Sequence, residues 1–399
     1  MKILVLGAGR MGLGAAYDLA HNSADVAAVT VADVDAGRAR AVVETVGSPR
    51  LSAAQIDVTD HAAVVALMRG HDACISCVTY SYNLQLARAA IEARTNFCDL
   101  GGNNAVVDAE LALDAEARDA GVQIIPDCGL APGMVSVLAA HGAARFDTLE
   151  AIHIRVGGLP QQPRPPLNYQ IVFSVEGLIN EYVERARVIR DGIIVEVDSM
   201  TELESLDFPA PFGRMEAFQT SGGTSTLPET FLGKVQQLDY KTIRFPGHCE
   251  QFKLMIDLGL TSSEQLDIDG ARVTPRRVFG ERLTRHLPAD EPDAVLVRLE
   301  FVGQMKGTHG RLRYDIVDFF DAHTGLSAMM RTTSFPASII AQMMARGETT
   351  QKGAVPQELC IPPDRFVAAL AAREIKIVES LVEGWDDLKG QVNPSEFLK

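Results

Sequence analysis

Apolar residues open the chain in a short unbroken run, followed by glycines and then by apolar residues at helical spacing. The stretch MKILVLGAGRMGLGAAYDLA therefore predicts a buried strand, a tight turn and a helix. The alternation continues: VAAVTVADVD, AAQID, DACISCVT, NFCDLGG and VQIIPDCG predict strands, and HAAVVALMRG, NLQLARAAIEA and DAELALDAEARDAG predict helices. Such alternation is typical of a parallel, doubly wound sheet, so we expect an α/β fold with an N-terminal Rossmann domain at residues 1–130.

After Pro132 the pattern changes. From about Leu149 onward, stretches such as AVLVRLEFVGQ and RLRYDIVDFFD alternate with the period of two that favours antiparallel strands. We expect a second, α+β domain at 131–333, which binds the substrate and dimerises, with the proline-rich LPQQPRPPLNY as a fixed loop near the ligand. Helical patterns in ASIIAQMMARG and DRFVAALAAREIKI predict that residues 334–399 form helices that pack back on the first domain.

Composition narrows the class of protein. The 399 residues are 47% hydrophobic and 22% charged, as in packed globular proteins, and the net charge is -15. We expect neither nucleic acid nor an anionic membrane as a partner, because the sequence contains no cluster of Lys and Arg. A strand pattern directly after Met1 and the lack of a run of about 18 apolar residues favour a cytoplasmic location.

Six cysteines are spread over the chain at a density too low for a disulfide framework, so free thiols are expected. Cys74 and Cys77 form a C-x-x-C, but no second pair accompanies it. We interpret them as small residues of a buried strand and predict no metal site.

The glycine-rich turn carries the strongest functional signal. Gly7, Gly9 and Gly12 form G-A-G-R-M-G between a strand and a helix, and Asp33 follows 21 residues later at the end of the second strand. This arrangement is typical of a dinucleotide site, where a terminal acid binds both ribose hydroxyls and repels a 2'-phosphate. We therefore predict NAD over NADP, a preference that Arg10 and Arg38 could weaken, and over flavin, for which no further signature follows. The predicted cofactor-binding residues are Gly7, Gly9, Arg10, Met11, Gly12, Asp33, Asp57, Val58, Cys77 and Val78.

Chemically useful side chains follow three later strands. They lie in VTYSY, DLGG and PDCGLAPGM, and they include Tyr80, Asp99, Asp127 and Cys128. Since the carboxyl ends of parallel strands meet at one edge, we expect these stretches to face the cofactor together. Asp127 is either a catalytic group or a cap of the next turn, and Cys128 is interpreted as a small residue rather than a nucleophile.

A second loop, TSGGTSTLPET at Thr220–Thr230, combines paired glycines with clustered hydroxyls. Such a loop is either an ordinary turn or a lip that holds a polar small molecule.

Seven stretches in order resemble the saccharopine dehydrogenase family, and within it most closely the bacterial lysine 6-dehydrogenases. They are GAGRMG, DLGGN, IIPDCGLAPGM, VGGLPQQPRPPLNY, FSVEGLINEY, FQTSGGTSTLP and YKTIRFPGHCE. The resemblance extends to about residue 260 and implies a Rossmann domain, an α+β substrate domain and C-terminal helices. Saccharopine reductases carry Asp-Pro-Gly and Asn-Arg-Asp-Ser, whereas this chain has Ala131 before Pro132 and a Ser-Gly-Gly-Thr stretch, residues 221–224.

This departure favours a smaller amino acid than saccharopine. We expect Arg244 to bind its carboxylate, with Tyr80, Tyr169 and Thr224 as further substrate-binding residues. The reaction implied is NAD-dependent oxidative deamination of the ε-amine of L-lysine, which releases ammonia and a semialdehyde that can cyclise. The available proton carriers are Asp99, Asp127, Lys241 and His248.

Two other functions stay open at this point. One is a saccharopine-type or opine-type reductase that joins an amine to a keto acid, and the other is a non-catalytic NAD-binding sensor. We also expect a homodimer, because antiparallel strands of the second domain can pair across a two-fold axis.

Overall fold

The structure is a computed structural model, and it describes residues 1–383. The chain divides into two compact units: Met1–His141 with Met330–Ile375, and Gly142–Met329 with the described residues from Lys376 onward. The elements up to the first boundary are β1 (Lys2–Leu6), α1 (Arg10–His21), β2 (Ala28–Asp33), α2 (Ala36–Val46), β3 (Leu51–Gln55), α3 (His61–Met68), β4 (Ala73–Ser76), α4 (Asn83–Ala93), β5 (Asn96–Asp99), α5 (Asn104–Leu111), α6 (Asp114–Ala120), β6 (Gln123–Ile125) and α7 (Met134–Ala143). The later elements are β7 (Thr148–Pro160), α8 (Val175–Val183), β8 (Ala186–Arg190), β9 (Ile193–Val197), β10 (Glu204–Phe208), β11 (Gly213–Gln219), α9 (Leu227–Phe231), β12 (Gln237–Arg244), α10 (His248–Asp257), β13 (Leu266–Ile268), β14 (Ala271–Val273), α11 (Pro275–His286), β15 (Asp293–Met305), β16 (Thr308–Phe319), α12 (Ala328–Arg346), β17 (Gly353–Ala354), α13 (Gln357–Cys360), α14 (Pro363–Ala371) and β18 (Val378–Glu383).

The first unit is built on a parallel sheet with the strand order β17-β6-β5-β4-β1-β2-β3. Ile3 to Leu6 of β1 are completely buried, as expected for a central strand that helices cover on both faces. The order reverses at β1, where doubly wound sheets bind their ligands. The predicted Rossmann fold is confirmed.

Side-chain caps fix the start of several helices of this unit. Asp35 accepts hydrogen bonds from two backbone N–H groups of α2, Asp60 accepts one from α3, and Asn103 accepts two from α5. These caps satisfy donors that the helices themselves cannot. They place the first turns of α2, α3 and α5 directly after the ends of β2, β3 and β5.

The second unit is built on a mixed sheet with the order β10-β11-β12-β7-β15-β16-β18, and β8 pairs with both β12 and β9. Neighbouring strands are antiparallel except β12 and β7, which are parallel. The long hairpin of β15 and β16 coincides with the two stretches whose period of two predicted strands. The expected second, α+β part of the fold is confirmed.

The unit boundaries differ in detail from the predicted ones. The first unit continues through His141, so most of α7 belongs to it, and it includes Met330–Ile375, which adds β17 to the parallel sheet. The predicted helical character of the C-terminal region does not extend to Val378–Glu383, which pairs with β16 as a strand. The rest of that prediction, residues 384–399, lies outside the described residues.

Within residues 1–383, every helix is too short or too polar to span a bilayer.

Candidate functional site

The turn between β1 and α1 has the geometry of a phosphate-binding loop. Gly7 adopts φ +99°, and its N–H donates to the carbonyl of Ala32 at 2.8 Å. A Cβ at Gly12 would lie 1.8 Å from the carbonyl oxygen of Gly7, so α1 can pack on the turn only with glycine there. A Cβ at Gly9 would have no atom within 4 Å, which leaves the N-terminus of α1 open to an anion.

Asp33 is held beside this loop. Its carboxylate accepts the N–H of Ala8 at 2.8 Å and the N–H of Asp35 at 2.9 Å, one on each oxygen. Each oxygen has a second lone pair, so the carboxylate can still accept ribose hydroxyls. Arg38 is mostly exposed and lies 3.9 Å from the Asp35 carboxylate. The loop, the helix terminus and the acid together fit a dinucleotide.

The remaining predicted cofactor residues lie at neighbouring strand ends. A Cβ built at Gly7 would be 2.8 Å from the carbonyl of Cys77 and 3.1 Å from the Val78 side chain, so both contact the loop. Asp57 follows β3, is exposed, and accepts hydrogen bonds from the N–H and hydroxyl of Thr59, which lower its pKa. Arg10 and Met11 lie in the first turn of α1. Val58, which follows Asp57 in the chain, packs against the apolar core. Cofactor contacts for these residues stay a prediction.

The structure brings the three strand-end stretches of the first unit together. Asp99, completely buried at the end of β5, accepts hydrogen bonds on one oxygen from the N–H of Gly101 at 2.6 Å and from that of Asp127 at 3.3 Å. A Cβ at Gly101 would lie 1.7 Å from the Asp127 carboxylate, and one at Gly102 would lie 3.0 Å from the ring of Tyr80. The predicted convergence of Tyr80, Asp99 and Asp127 is therefore observed.

Glu110 is a member of this cluster that the sequence reasoning missed. It lies on α5 and is completely buried, and among the described residues neither of its carboxylate oxygens has a hydrogen-bond partner. Burial raises the pKa of both carboxyl groups, and the charge of Asp99 raises that of Glu110 further. Since the charge of one buried carboxylate disfavours ionisation of the other, the pair holds one proton near neutral pH. The stretch DAELALD does not indicate that this glutamate is buried, because a glutamate on an amphipathic helix usually faces solvent.

Strand β12 of the second unit presents different chemistry on its two faces. Successive side chains of a strand point to opposite sides. Tyr240, Thr242 and Arg244 therefore share one face, and Lys241 lies on the other. The residues of β11 that pair with β12 support this division of the two faces. Phe218, which pairs with Thr242, belongs to an aromatic core, whereas the polar Gln219 pairs with Lys241.

Arg244 is a buried cation without an ionic partner. Only 2% of the residue is exposed, and its guanidinium donates to the Tyr182 hydroxyl at 2.8 Å and to the carbonyl of Ile243 at 2.9 Å. Its centre lies 4.8 Å from the ring centroid of Tyr169 and 5.7 Å from that of Tyr182. Among the described residues, no carboxylate oxygen lies within 4.0 Å of its nitrogens. A buried charge is costly unless an opposite charge meets it, so this is a candidate site for an anionic ligand.

His248 supports Arg244 through Tyr182. Its Nδ1 donates to the carbonyl of Leu167 at 3.0 Å, which leaves Nε2 to accept from the Tyr182 hydroxyl at 3.1 Å. Burial, together with the charge of Arg244, lowers the pKa of His248 to about 3. This shift disfavours His248 as the proton carrier that the sequence suggested. The geometry favours His248 as a positioning residue for the Tyr182 hydroxyl.

Lys241, another predicted proton carrier, lies in an ion-pair network instead. Its ammonium donates to the Glu204 carboxylate at 2.9 Å and to the carbonyl of Glu202 at 2.7 Å. Arg155 pairs with the same Glu204 and with Asp239. The structure therefore does not bring Lys241 together with Arg244, and its ion pairs indicate a structural role.

The hydroxyl loop is largely buried and tied to its surroundings. The hydroxyls of Thr220 and Thr242 lie 2.7 Å apart, and Thr224 donates to the carbonyl of Arg187 at 2.8 Å. A Cβ at Gly223 would lie 2.4 Å from the ring of Tyr240, so glycine lets the loop approach this aromatic face. A substrate contact for Thr224 stays a prediction.

Glu181 is the second residue that the sequence reasoning missed. It precedes Tyr182 on α8, and its backbone carbonyl accepts the N–H of Ser221 at 3.0 Å. Burial raises the pKa of Glu181 to about 7, although the charge of Arg244 opposes this shift. It lies in the stretch FSVEGLINEY, which had been noted only for its resemblance.

A dinucleotide-binding α/β unit followed by a mixed-sheet unit with a buried cation defines a class of two-domain nucleotide-dependent proteins. Residues 3–125 match the saccharopine dehydrogenase NADP binding domain, and residues 129–375 match the saccharopine dehydrogenase C-terminal domain. The chain belongs to the saccharopine dehydrogenase family.

Individual relatives are distant. The chain is 23% identical over 254 residues to saccharopine dehydrogenase [NADP(+), L-glutamate-forming] of Pyricularia oryzae, and the match covers 60% of this chain and 54% of that protein. It is 24% identical to carboxynorspermidine synthase of Vibrio cholerae, over 97% and 96% of the two chains. The structure of apo saccharopine dehydrogenase (L-Glu forming) from Saccharomyces cerevisiae matches with a TM-score of 0.80 at 21% identity, over 96% of this chain and 99% of that chain. This likeness shows the fold.

Proposed function

We propose that this protein is an NAD-dependent oxidoreductase that acts on an amino group, and that its substrate is the ε-amine of L-lysine. The first unit contains a dinucleotide site and a buried acid pair, and the second contains the buried guanidinium of Arg244. Family membership supports an oxidoreductase that acts on amino compounds. Lysine is our choice because the loop at residues 221–224 lacks the charged residues of the saccharopine-type stretch.

The observation that carries the proposal is the buried guanidinium of Arg244. The Tyr182 hydroxyl and the carbonyl of Ile243 orient it, and no described carboxylate oxygen lies within 4.0 Å of its nitrogens. An amino acid carboxylate would supply the missing charge through short, charge-assisted hydrogen bonds. Arg244 would then anchor the head of lysine and leave the terminal amine as the reacting end.

The reaction converts lysine, NAD and water into the 6-semialdehyde, ammonium, NADH and a proton. The bound dinucleotide supplies the hydride acceptor. One proton must leave the ammonium before the ε-carbon is oxidised, and the Asp99 and Glu110 pair can accept a proton because it holds only one near neutral pH. Water then adds to the imine carbon, ammonia leaves, and the aldehyde can cyclise on the α-amine.

Our choice of NAD rests on Asp33, whose two oxygens are held beside the glycine loop. A carboxylate there accepts the ribose hydroxyls and repels a 2'-phosphate. The matching domain is described as NADP binding, and the Pyricularia relative is named as NADP-dependent, so the preference must be measured. We expect a higher kcat/KM with NAD than with NADP.

A second candidate is a reductase that joins an amine to a keto acid or aldehyde. It is favoured by carboxynorspermidine synthase, which matches almost the whole chain. A further cation near Thr224 would also favour it, and Arg187 does lie there. However, the Arg187 guanidinium donates to the Glu229 carboxylate at 2.9 Å, so its charge is compensated within the protein.

The test is NADH formation at 340 nm with the full chain, each nucleotide in turn, and L-lysine, L-ornithine, saccharopine or cadaverine at alkaline pH. Turnover of lysine with ammonia release, and none of saccharopine, is the expected result. Turnover of saccharopine, or activity only in the reductive direction with an amine and a keto acid, would favour the second candidate. Tight NAD binding without turnover of any amine would indicate a nucleotide sensor.

A further inference from the structure

We propose that Tyr169, Tyr182 and His248 leave a single edge of the Arg244 guanidinium open, and that this edge selects a planar carboxylate over a tetrahedral anion. Tyr169 and Tyr182 are then specificity-determining residues, and His248 is a positioning residue that acts through Tyr182. Since the anion site belongs to the proposed function, the inference rests on that function and adds the shape of the anion that the site accepts.

The protein already occupies the side edge of the Arg244 guanidinium. Nε donates to the Tyr182 hydroxyl at 2.8 Å, and Nη1 donates to the carbonyl of Ile243 at 2.9 Å. Within the described part of the chain, no acceptor contacts Nη2. A carboxylate forms paired hydrogen bonds with a guanidinium either at the side edge, Nε with Nη2, or at the end edge, Nη1 with Nη2. Because Tyr182 takes Nε, the end edge is the one that a ligand can use.

The ring of Tyr169 covers a face of the same guanidinium. Its centroid lies 4.8 Å from the central carbon of Arg244, and only 2% of Tyr169 is exposed. A carboxylate keeps both oxygens in the plane of the guanidinium that it binds. A sulfonate bound through a pair of oxygens places its third oxygen on one side of that plane and its carbon chain on the other. One of these groups would collide with Tyr169, so the covered face disfavours tetrahedral anions.

His248 sets the direction of the hydrogen bonds around Tyr182. The carbonyl of Leu167 can only accept, so Nδ1 of His248, which lies 3.0 Å away, carries the proton of the neutral ring. Nε2 is then an acceptor, and the Tyr182 hydroxyl donates to it at 3.1 Å. The lone pairs of the Tyr182 oxygen therefore face the Nε–H of Arg244. Without His248, the hydroxyl proton would be free to turn towards the cation and weaken this contact.

Aromatic packing holds the Tyr182 ring in place. Its centroid lies 4.7 Å from that of Phe252 and 5.7 Å from that of Phe218, and both contacts are edge to face. Tyr182 and His248 are each only 1% exposed. The hydroxyl therefore keeps a fixed position, and it holds the guanidinium in one plane before a ligand arrives.

The test compares two anions of equal charge and equal chain length, hexanoate and 1-pentanesulfonate. Isothermal titration calorimetry of the full chain in the presence of NADH measures both affinities, and neither anion contains an amine that could react. We expect the wild type to bind hexanoate about 10-fold more tightly than 1-pentanesulfonate, since a misplaced oxygen loses a hydrogen bond to a charged group.

Tyr182→Phe removes the acceptor of Nε and opens the side edge. It should weaken hexanoate binding about 10-fold and change 1-pentanesulfonate binding by less than about 2-fold. Tyr169→Ala uncovers the face of the guanidinium, so it should reduce the preference for hexanoate to about 2-fold. Equal weakening of both anions by Tyr182→Phe would show that the tyrosine has only a structural role.

A double-mutant cycle tests the role of His248. His248→Leu should weaken hexanoate binding about 5-fold, and His248→Gln should restore most of the affinity because its amide oxygen can accept from Tyr182. Tyr182→Phe combined with His248→Leu should bind hexanoate as well as Tyr182→Phe alone, since His248 acts through the hydroxyl that is already missing. Losses that multiply in the double variant would contradict this positioning role.

Tyr314→Phe is the matched control, because it removes the hydroxyl of another buried tyrosine, on β16 of the same unit, and should leave both affinities unchanged. Thermal unfolding temperatures close to that of the wild type confirm that the variants are folded. A wild type that binds no hexanoate, or that binds both anions equally, would overturn the inference. Selective hexanoate binding by a chain that does not oxidise lysine would refute the proposed function but leave the carboxylate site standing.

Discussion

At the scale of single residues, the proposal depends most on Arg244. Arg244→Gln removes the only charge on its face of β12 and should lower kcat/KM for lysine about 100-fold, as expected when a buried charge pair loses one partner. Arg214→Gln is the control, because Arg214 is exposed on the neighbouring strand β11.

Steady-state kinetics with lysine and with cadaverine measures this effect. Cadaverine has no carboxylate, so its weak turnover should be the same in wild type and Arg244→Gln. An equal loss with both amines would contradict carboxylate binding and indicate a purely structural role for the guanidinium.

The acid pair predicts a characteristic pH dependence. If Asp99 accepts the proton, kcat/KM falls as the pH drops through its pKa, which burial raises above the ordinary aspartate range. The polar side chain of Glu110 lowers that pKa. Glu110→Leu removes this polar neighbour, so the acid limb of the profile should move to higher pH. Glu110→Gln keeps a donor and should leave the limb near its wild-type position.

The measurement is kcat/KM for lysine in the three proteins from roughly two pH units below neutrality to about three above it. Identical shifts in both variants, or no shift in either, would show that the pair does not control the reaction.

Some residues of the candidate site could be predicted from the sequence, and others could not. Asp33, Asp99 and Asp127 were found because strand ends are local features and the topology of a parallel sheet then brings them together. Glu110 and Glu181 were missed because both occupy polar positions of amphipathic helices, where solvent exposure is the usual outcome. Only the packing of those helices buries Glu110 completely and Glu181 in part.

At the scale of elements, the two faces of β12 have different proposed roles: the face with Arg244 binds the substrate, and the face with Lys241 stabilises the fold. Lys241 points away from Arg244 and pairs with Glu204, which also contacts Arg155. Lys241→Met should leave the KM for lysine unchanged, and it should lower the free energy of unfolding by about 1–3 kcal/mol because buried hydrogen bonds to charged groups are lost.

Urea unfolding and lysine kinetics of the same variant check this expectation. Lys253→Met is the control, since that lysine is exposed and forms an (i, i+4) pair that contributes little. A large fall in kcat without a change in stability would contradict this structural role and support Lys241 as a proton carrier.

The elements of the first unit were the easiest to predict. Its strands and helices alternate, and several of its helices have a local start signal, such as the caps at Asp35 and Asp60. In the second unit, short strands such as β8 and β13 carry no clear period. Strand β18 was hidden within a C-terminal region predicted to be helical, because its pairing with β16 is a long-range contact.

At the scale of the whole molecule, we propose a homodimer that pairs strands of the second unit. In the described chain its sheet ends at β10 on one side, and Leu203 beside that edge is 57% exposed. Exposed strand edges readily pair with another chain. Light scattering should give twice the mass of one chain, and Leu203→Glu should shift the equilibrium towards the monomer.

Leu254→Glu is the control for this experiment, because Leu254 is 60% exposed but belongs to α10 and not to the edge strand. A wild-type monomer at every concentration would contradict the proposed dimer, and equal dissociation by both variants would place the interface elsewhere.

The central claim is that the terminal amine of lysine is the group removed. The most direct measurement is the fate of the label when the full chain oxidises lysine enriched with ¹⁵N at the ε-position, in the presence of NAD. We predict that the ammonium released carries the label and that the cyclised product retains the unlabelled α-nitrogen. Unlabelled ammonium would show that the α-amine reacts instead, and release of no ammonium at all would contradict oxidative deamination.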